Sequence, residues 1–307
     1  MRTLASILFA AVLHVTAVST TAEAETLPET VAPGAKLVEV FSSDAFHEGP
    51  TWDPKTAKLY FTAFFGGEKK TQRILRLDKP GKATVWLDKS EGVNGTYLSL
   101  DGRLLGAQAY GHRVKSYGFD AKGPSDAKTL VMNNKWHQPN DVCQTPNGNI
   151  YFTDPDFQNR KTSAVYLLTS KGKVKKIIMD MPIPNGVLAS NDGKTLYVSD
   201  SHLKLWRNYP IREDGTVGKG KVFFDPDTER KESPDGMTID AQGNLYGSGR
   251  GGVWVASPKG ETLGAIMVPE FCSNVTFGGR DGKTLYLTCS KKVYSLQMTV
   301  RGGQFRK

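Results

Sequence analysis

The chain has 307 residues, with 40 Lys and Arg against 31 Asp and Glu and a formal net charge of +9. Its basic residues are scattered, as in Lys69-Lys70, Lys175-Lys176 and Lys291-Lys292, so no nucleic-acid partner is expected. Three cysteines, Cys143, Cys272 and Cys289, include no Cys-x-x-Cys pair, which argues against a thiolate zinc site.

Met1 and Arg2 open a basic start, Leu4 to Val18 is largely apolar, and "AEAE" follows with small residues. Residues 1–24 therefore read as a secretory signal peptide cut after Ala24, and the mature chain is expected to be secreted or periplasmic. The apolar run is shorter than the roughly 20 residues of a spanning helix. No later run reaches that length, so no membrane span is expected after leader removal.

"AKLVEVFS", Ala35 to Ser42, is strand-like but has no unit of its own. Six related segments follow: "EGPTWDPKTAKLYFT" from Glu48, "VNGTYLSLDGRLLGA" from Val93, "PNDVCQTPNGNIYFT" from Pro139, "PNGVLASNDGKTLYVS" from Pro184, "PDGMTIDAQGNLYGS" from Pro234 and "SNVTFGGRDGKTLYLT" from Ser273. Each is a short apolar strand, a turn such as Asn147-Gly148, and a second strand. From the polar residue opening each unit to its turn dipeptide the offset is seven residues every time, as from Asn140 to Asn147 or Asp235 to Gln242. Equal offsets at a side-chain period of two mean equal positions. Each unit continues with further strand material, and units recur every 39 to 50 residues. That is the pattern of propeller blades. The expected fold is all-β: a six-bladed β-propeller with four-stranded antiparallel blades, forming a single domain over residues 25–307. The last unit, "KVYSLQMTVRG", is one strand short, and the N-terminal strand is expected to close the ring there.

First strands of propeller blades line the central channel. Glu48, Asn94, Asn140, Asn185, Asp235 and Asn274 should then form one ring of oxygen donors. Such a set suits a hard divalent cation, Ca²⁺ first, with Zn²⁺, Mn²⁺ or Mg²⁺ as alternatives. Asn and Asp before a strand also cap the backbone locally, and that reading is kept for Asn94 and Asn274. It fails for a set containing Glu48, which is not a turn residue. His47 should face away from Glu48 and pack between blades or meet solvent. Counting about the Asp281-Gly282 hairpin sets Cys272 opposite Cys289, either as a disulfide or as two buried thiols.

"HEGPTW", "QPNDV…FTDP", "PNGV…SNDGKTLYVSD" and "SPDGMTID" resemble, in order and approximate spacing, the motifs of the gluconolactonase/regucalcin (senescence marker protein) family of six-bladed propellers. The likeness runs from Val38 to about Leu296, and the related diisopropylfluorophosphatase propeller has a similar calcium site. The resemblance implies Glu48, Asn185 and Asp235 as metal ligands, Asp235 also as the catalytic proton acceptor and donor, and Asn140 as a substrate or metal contact. Asp154 and Asp200, which end second strands, and His202 just beyond are substrate-contact candidates, with loop capping as the alternative for the two aspartates and a plain surface position as the alternative for His202. Two positions depart from the family: Gln138 stands where mammalian-type members have Arg, and Gln108-Ala109 where bacterial members often have an acidic–His pair. Both lie where hydroxyls of a sugar lactone would bind.

The implied activity is metal-dependent hydrolysis of a small-molecule lactone or ester. Alternatives are phosphotriester or other ester hydrolysis on the same site, or a non-catalytic calcium-binding propeller that displays loops to a partner. No G-x-S-x-G elbow offers a serine nucleophile.

Overall fold

Runs such as "KLYFTAFF", "IYFTD" and "TLYVSD" are rich in the aromatic and β-branched residues that fit a pleated surface, and they are strands in the computed structural model. The structure describes residues 26–66, 71–226, 233–249 and 251–305, so the expected leader lies outside the described residues. These form six four-stranded antiparallel sheets, five of them running outward from the axis in chain order. The inner strands of blades 1 to 6 are Phe46–Asp53, Val93–Leu98, Val142–Gln144, Pro184–Ala189, Met237–Ile239 and Cys272–Gly278. Their second strands are Lys58–Phe65, Leu104–Gln108, Ile150–Asp154, Thr195–Asp200, Leu245–Gly249 and Thr284–Cys289. Val38–Ser42 pairs with Lys292–Gln297 and is the outer strand of blade 6. First and last parts of the chain thus close the ring, as expected, and no blade edge faces a missing neighbour there.

The turn at Asn147-Gly148 is wider than a two-residue hairpin. The Gly148 amide donates to Thr145 O at 2.9 Å, the Thr145 amide donates to Asn149 O at 2.9 Å, and Gly148 has φ 86°. A side chain is strained in that left-handed conformation, which accounts for glycine there.

Adjacent blades lock together through two devices. Aromatic rings fill spaces left by missing side chains: Trp206 of blade 4 lies over Gly247 of blade 5, and Trp52 of blade 1 over Gly278 of blade 6. Hydroxyls at the ends of second strands bond to the next blade's inner strand. Thr62 Oγ1 donates to Asn94 O at 3.0 Å, Thr153 Oγ1 to Asn185 O at 2.6 Å, and Ser199 Oγ to Asp235 O at 2.8 Å. Ser248 Oγ reaches Ser273 O at 2.7 Å, and Ser273 Oγ carries the series across the closure to His47 O at 2.7 Å. Three of these bonds hold carbonyls of expected ring residues, Asn94, Asn185 and Asp235, in place.

The Cα register pairs Cys272 with Cys289 as counted; both are buried free thiols, as is Cys143. After the last strand the chain crosses the hairpin-turn face of blades 5 and 6. Ala241 N–H donates to Arg301 O, Gly302 N–H to Gly282 O, and a 3₁₀ turn, Gly303–Phe305, follows.

Candidate functional site

Each ring residue sits where the inner strand is irregular. The register slips between Glu48 and Thr51, Val93 and Thr96, Pro184 and Val187, and Cys272 and Asn274. In blades 3 and 5 regular pairing begins only at Val142 and Met237, after Asn140-Asp141 and Asp235-Gly236. Bulges of this kind re-aim side chains that a regular pleat would send to alternate faces.

The ring can be followed contact by contact. A Cβ on Gly49 would stand 2.2 Å from Asn94 O, one on Gly95 2.1 Å from Asp141 Oδ1, one on Gly186 2.2 Å from Asp235 O, and one on Gly236 2.0 Å from Asn274 Cγ. Between blades 3 and 4 the link is Asp141 Oδ2, which accepts from Val187 N at 3.2 Å. Between blades 6 and 1 it is Asn274 Nδ2, which donates to Glu48 Oε2 at 3.0 Å. The glycines after Glu48, Asn94, Asn185 and Asp235 are thus what allows the ring to close. Gly236→Ala should push Asn274 off Glu48 and destabilise the protein by about 1–3 kcal/mol. Urea unfolding checks this, and an unchanged midpoint would contradict it.

The electrostatics are those of crowded acids. Burial pushes Glu48 up to about 7 against the hydrogen bonds from Gly49 and Asn274. Burial and then the charge of Glu48 push Asp141 up to about 8. Asp235 is raised well above the ordinary range by burial, by Glu48 and by Asp141, although its side chain keeps some contact with solvent. Three carboxylates therefore repel one another at the head of the channel. Beside them Asn94 Oδ1 and Asn185 Oδ1 are buried without a hydrogen-bond partner, while Asn185 Nδ2 donates to Ser201 Oγ at 3.0 Å. Among the described residues no three acidic, histidine or cysteine side chains converge closely enough to hold a metal by themselves. The oxygens available to hold a cation are mixed in kind: carboxylates of Glu48 and Asp235 beside amide oxygens of Asn94 and Asn185. Hard, uncompensated oxygens of this kind fit a divalent cation such as Ca²⁺.

Asn94 and Asn274 part company. Asn274 Oδ1 accepts its own neighbour's amide, Val275 N, at 2.8 Å, so local capping holds there and its amide nitrogen positions Glu48. Asn94 Oδ1 makes no such bond, and the capping expectation for it is corrected. Asn140 is buried; its main chain joins Thr153 O and the Gly95 amide. Asp154 Oδ1 accepts from His137 N and Gln138 N, both at 2.8 Å, and Asp200 Oδ1 from His202 N and Leu203 N, both at 2.9 Å. Both aspartates cap loops, yet each keeps a buried, unpartnered Oδ2. Burial pushes Asp154 up to about 6. His202 is not brought to the ring: it is exposed, with Nε2 3.3 Å from Arg160 Nη1. His47 is fully buried between Phe41 and Phe61.

Asp141 was not among the expected site residues. The available signal was its place: it occupies the position that is glycine in four of the units.

Within the channel, a cavity of about 530 Å³ extends from Asp141 and Asn274 toward the hairpin turns, where Gln304 lines it. Asp154 and Asp200 lie on the opposite side of the ring, because Asp200 pairs with Pro184 and Asp154 follows Thr153, whose carbonyl meets the Asn140 amide.

Residues 46–291 match the family profile described as the SMP-30/Gluconolactonase/LRE-like region. The chain is 28% identical over 302 residues to a gluconolactonase of Zymomonas mobilis, covering 86% of this chain and 82% of that one. It is 26% identical over 245 residues to a pentonolactonase of Haloferax volcanii, covering 78% and 80%. Among solved structures, a gluconolactonase of Xanthomonas campestris superposes with a TM-score of 0.75 at 26% identity, covering 89% and 95%.

Proposed function

Because the chain belongs to the SMP-30/gluconolactonase/LRE-like family, we propose that it is a hydrolase that opens a lactone or related carboxylic ester with the help of one divalent cation. The observation that carries this reading is the closed ring in which Glu48, Asp141 and Asp235 crowd together beside the unpartnered amide oxygens of Asn94 and Asn185. Glu48, Asn185 and Asp235 would hold the cation, with Asn94 and Asn140 facing the same space. A bound cation would supply positive charge that polarises an acyl carbonyl and stabilises the developing oxyanion.

The chain's own part is proton transfer and positioning. Asp235, made basic by burial and by two neighbouring acids, would take a proton from the attacking water with its carboxylate. The water oxygen bonds to the acyl carbon, the ring C–O bond breaks, and the departing alkoxide takes up the proton, leaving a hydroxy acid. Asn274 holds Glu48 in place throughout. The names of the relatives, gluconolactonase and pentonolactonase, support a lactone and leave its substituents open. The leader-like residues 1–24 support action outside the cytoplasm.

Purified protein stripped with a chelator should lose turnover of δ-lactones and regain it when Ca²⁺, Mn²⁺, Zn²⁺ or Mg²⁺ is returned, measured by pH-stat. Calcium-dependent stability without turnover of any lactone, ester or phosphotriester would replace the enzyme with a calcium-binding propeller.

A further inference from the structure

The mouth on the Asp154 and Asp200 side of the ring has two tiers. The floor is polar. The rim, among the described residues, carries exposed apolar side chains: Phe46 is 38% exposed, Tyr110 57%, Phe157 45% and Leu203 41%. Each stands two or three residues along the chain from a floor residue. Phe46 precedes Glu48, Tyr110 follows Gln108, Phe157 follows Asp154, and Leu203 follows Asp200.

Two of these side chains are visibly placed at the mouth. Phe46 stacks on Phe271, with ring centroids 6.4 Å apart, so two blades share one apolar surface beside the Glu48 end of the ring. Tyr110 lies directly over Gly92, where a Cβ would come within 2.7 Å of its ring; Gly92 leads into Val93 and Asn94. Gly92 also has φ 75°, so the space Tyr110 occupies is built into the backbone.

Several polar side chains at this mouth are already engaged, while the Oδ2 atoms of Asp154 and Asp200 on the floor stay unpartnered. Gln108 Nε2 donates to Ser90 O at 2.5 Å, and its Oε1 accepts from Arg113, which also pairs with Glu91. His137 lies 3.5 Å from Asp156, and Arg160 lies beside His202. A polyhydroxylated ring would have to break these bonds to use Gln108, His137 or Arg160, whereas an alkyl or aryl group would cover exposed apolar surface.

We infer that the substrate is a lactone with an apolar substituent, its ring and carbonyl on the polar floor and its alkyl or aryl group against Phe46, Tyr110, Phe157 and Leu203. This rests on the hydrolase reading above and narrows it from lactones in general to hydrophobic ones. Continuity of the rim with the floor selects this occupant over a second protein.

The test is kcat/KM of the metal-loaded protein on δ-valerolactone, on its 5-alkyl homologues of increasing chain length, and on glucono-δ-lactone. Each added methylene should raise kcat/KM by about two- to fourfold until the rim is covered. The Tyr110→Ser/Phe157→Ser double variant, altered only at exposed positions, should flatten that slope. Preference for glucono-δ-lactone with no gain along the alkyl series would overturn the inference and leave the hydrolase reading standing. Hydrolysis of none of these lactones would remove both. A dimer in sedimentation velocity that the double variant dissolves would assign the rim to a second copy of the chain and overturn the substrate assignment.

Discussion

Asp235→Asn should lower kcat/KM for lactone hydrolysis about a thousandfold, within the range lost when a general base is removed. The replacement keeps the size and one oxygen of the side chain, so the contact of Asp235 O with Ser199 Oγ at 2.8 Å and the close approach of Gly186 are retained. What goes is a negative charge and a proton acceptor. These two losses separate in titration. If Asp235 is chiefly a ligand, the variant binds Ca²⁺ more weakly by calorimetry and saturating cation restores the rate. If it is also the base, the rate stays low at saturating cation. Most of the rate surviving with cation bound would end the assignment of Asp235 as base. Metal-free stability should move the other way: removing one of three mutually repelling buried acids should make the stripped variant more stable than the stripped parent.

The circle of blades was readable because strand pairing has a fixed period and the chain repeats it. A constant spacing from polar residue to turn survives even where blades differ in length. The closing strand was readable for a related reason, since a final unit with three strands leaves an unpaired edge that Val38–Ser42 covers. Individual side-chain directions were harder to read. Alternation sends Asp141 away from Asn140, yet regular pairing starts only at Val142, and Asp141 turns inward to accept from Val142 N at 2.9 Å and to face Glu48. Asn94 and Asn274 occupy equivalent positions, yet Asn274 pairs with Thr288 and caps Val275 while Asn94 falls in a register slip with its Oδ1 unpartnered, a difference that position along the chain does not specify. His202 lies beyond the end of a strand, where nothing in the repeat dictates direction, and it faces Arg160 and solvent. Asp154 and Asp200 were offered both as substrate contacts and as caps. Each has one oxygen engaged as a cap and the other unpartnered, a division that composition alone does not reveal.

Stripped of cation, the protein should melt at a lower temperature at pH 8 than at pH 5.5, opposite to the behaviour of a protein stabilised by ionised carboxylates. Folding raises Glu48 from 4.5 to about 7 and Asp141 from 3.8 to about 8. Between those limits the folded chain holds protons that the unfolded chain has released, so stability is present at mildly acid pH and is lost as pH rises through 7 to 8. Below about pH 4 the unfolded chain is protonated too and the gain levels off. Asp154, pushed up to about 6, acts in the same direction. His47 opposes them: burial lowers it from 6.5 to about 4, so it favours unfolding as pH falls below 6.5. His47 opposes three groups, of which Asp141 shifts further than it does and Glu48 about as far, leaving a net loss on the order of 3 kcal/mol from pH 5.5 to 8 and a drop in Tm of roughly 5–10 °C. Excess Ca²⁺ should reverse the slope, because the cation requires the ionised carboxylates and competes with the protons. Asp141→Asn should flatten the slope of the stripped protein. Scanning calorimetry in chelator across this pH range provides the measurement; a Tm that is constant or rises toward pH 8 would mean that Glu48, Asp141 and Asp235 do not crowd one another, and the proposed cation site would lose its physical basis.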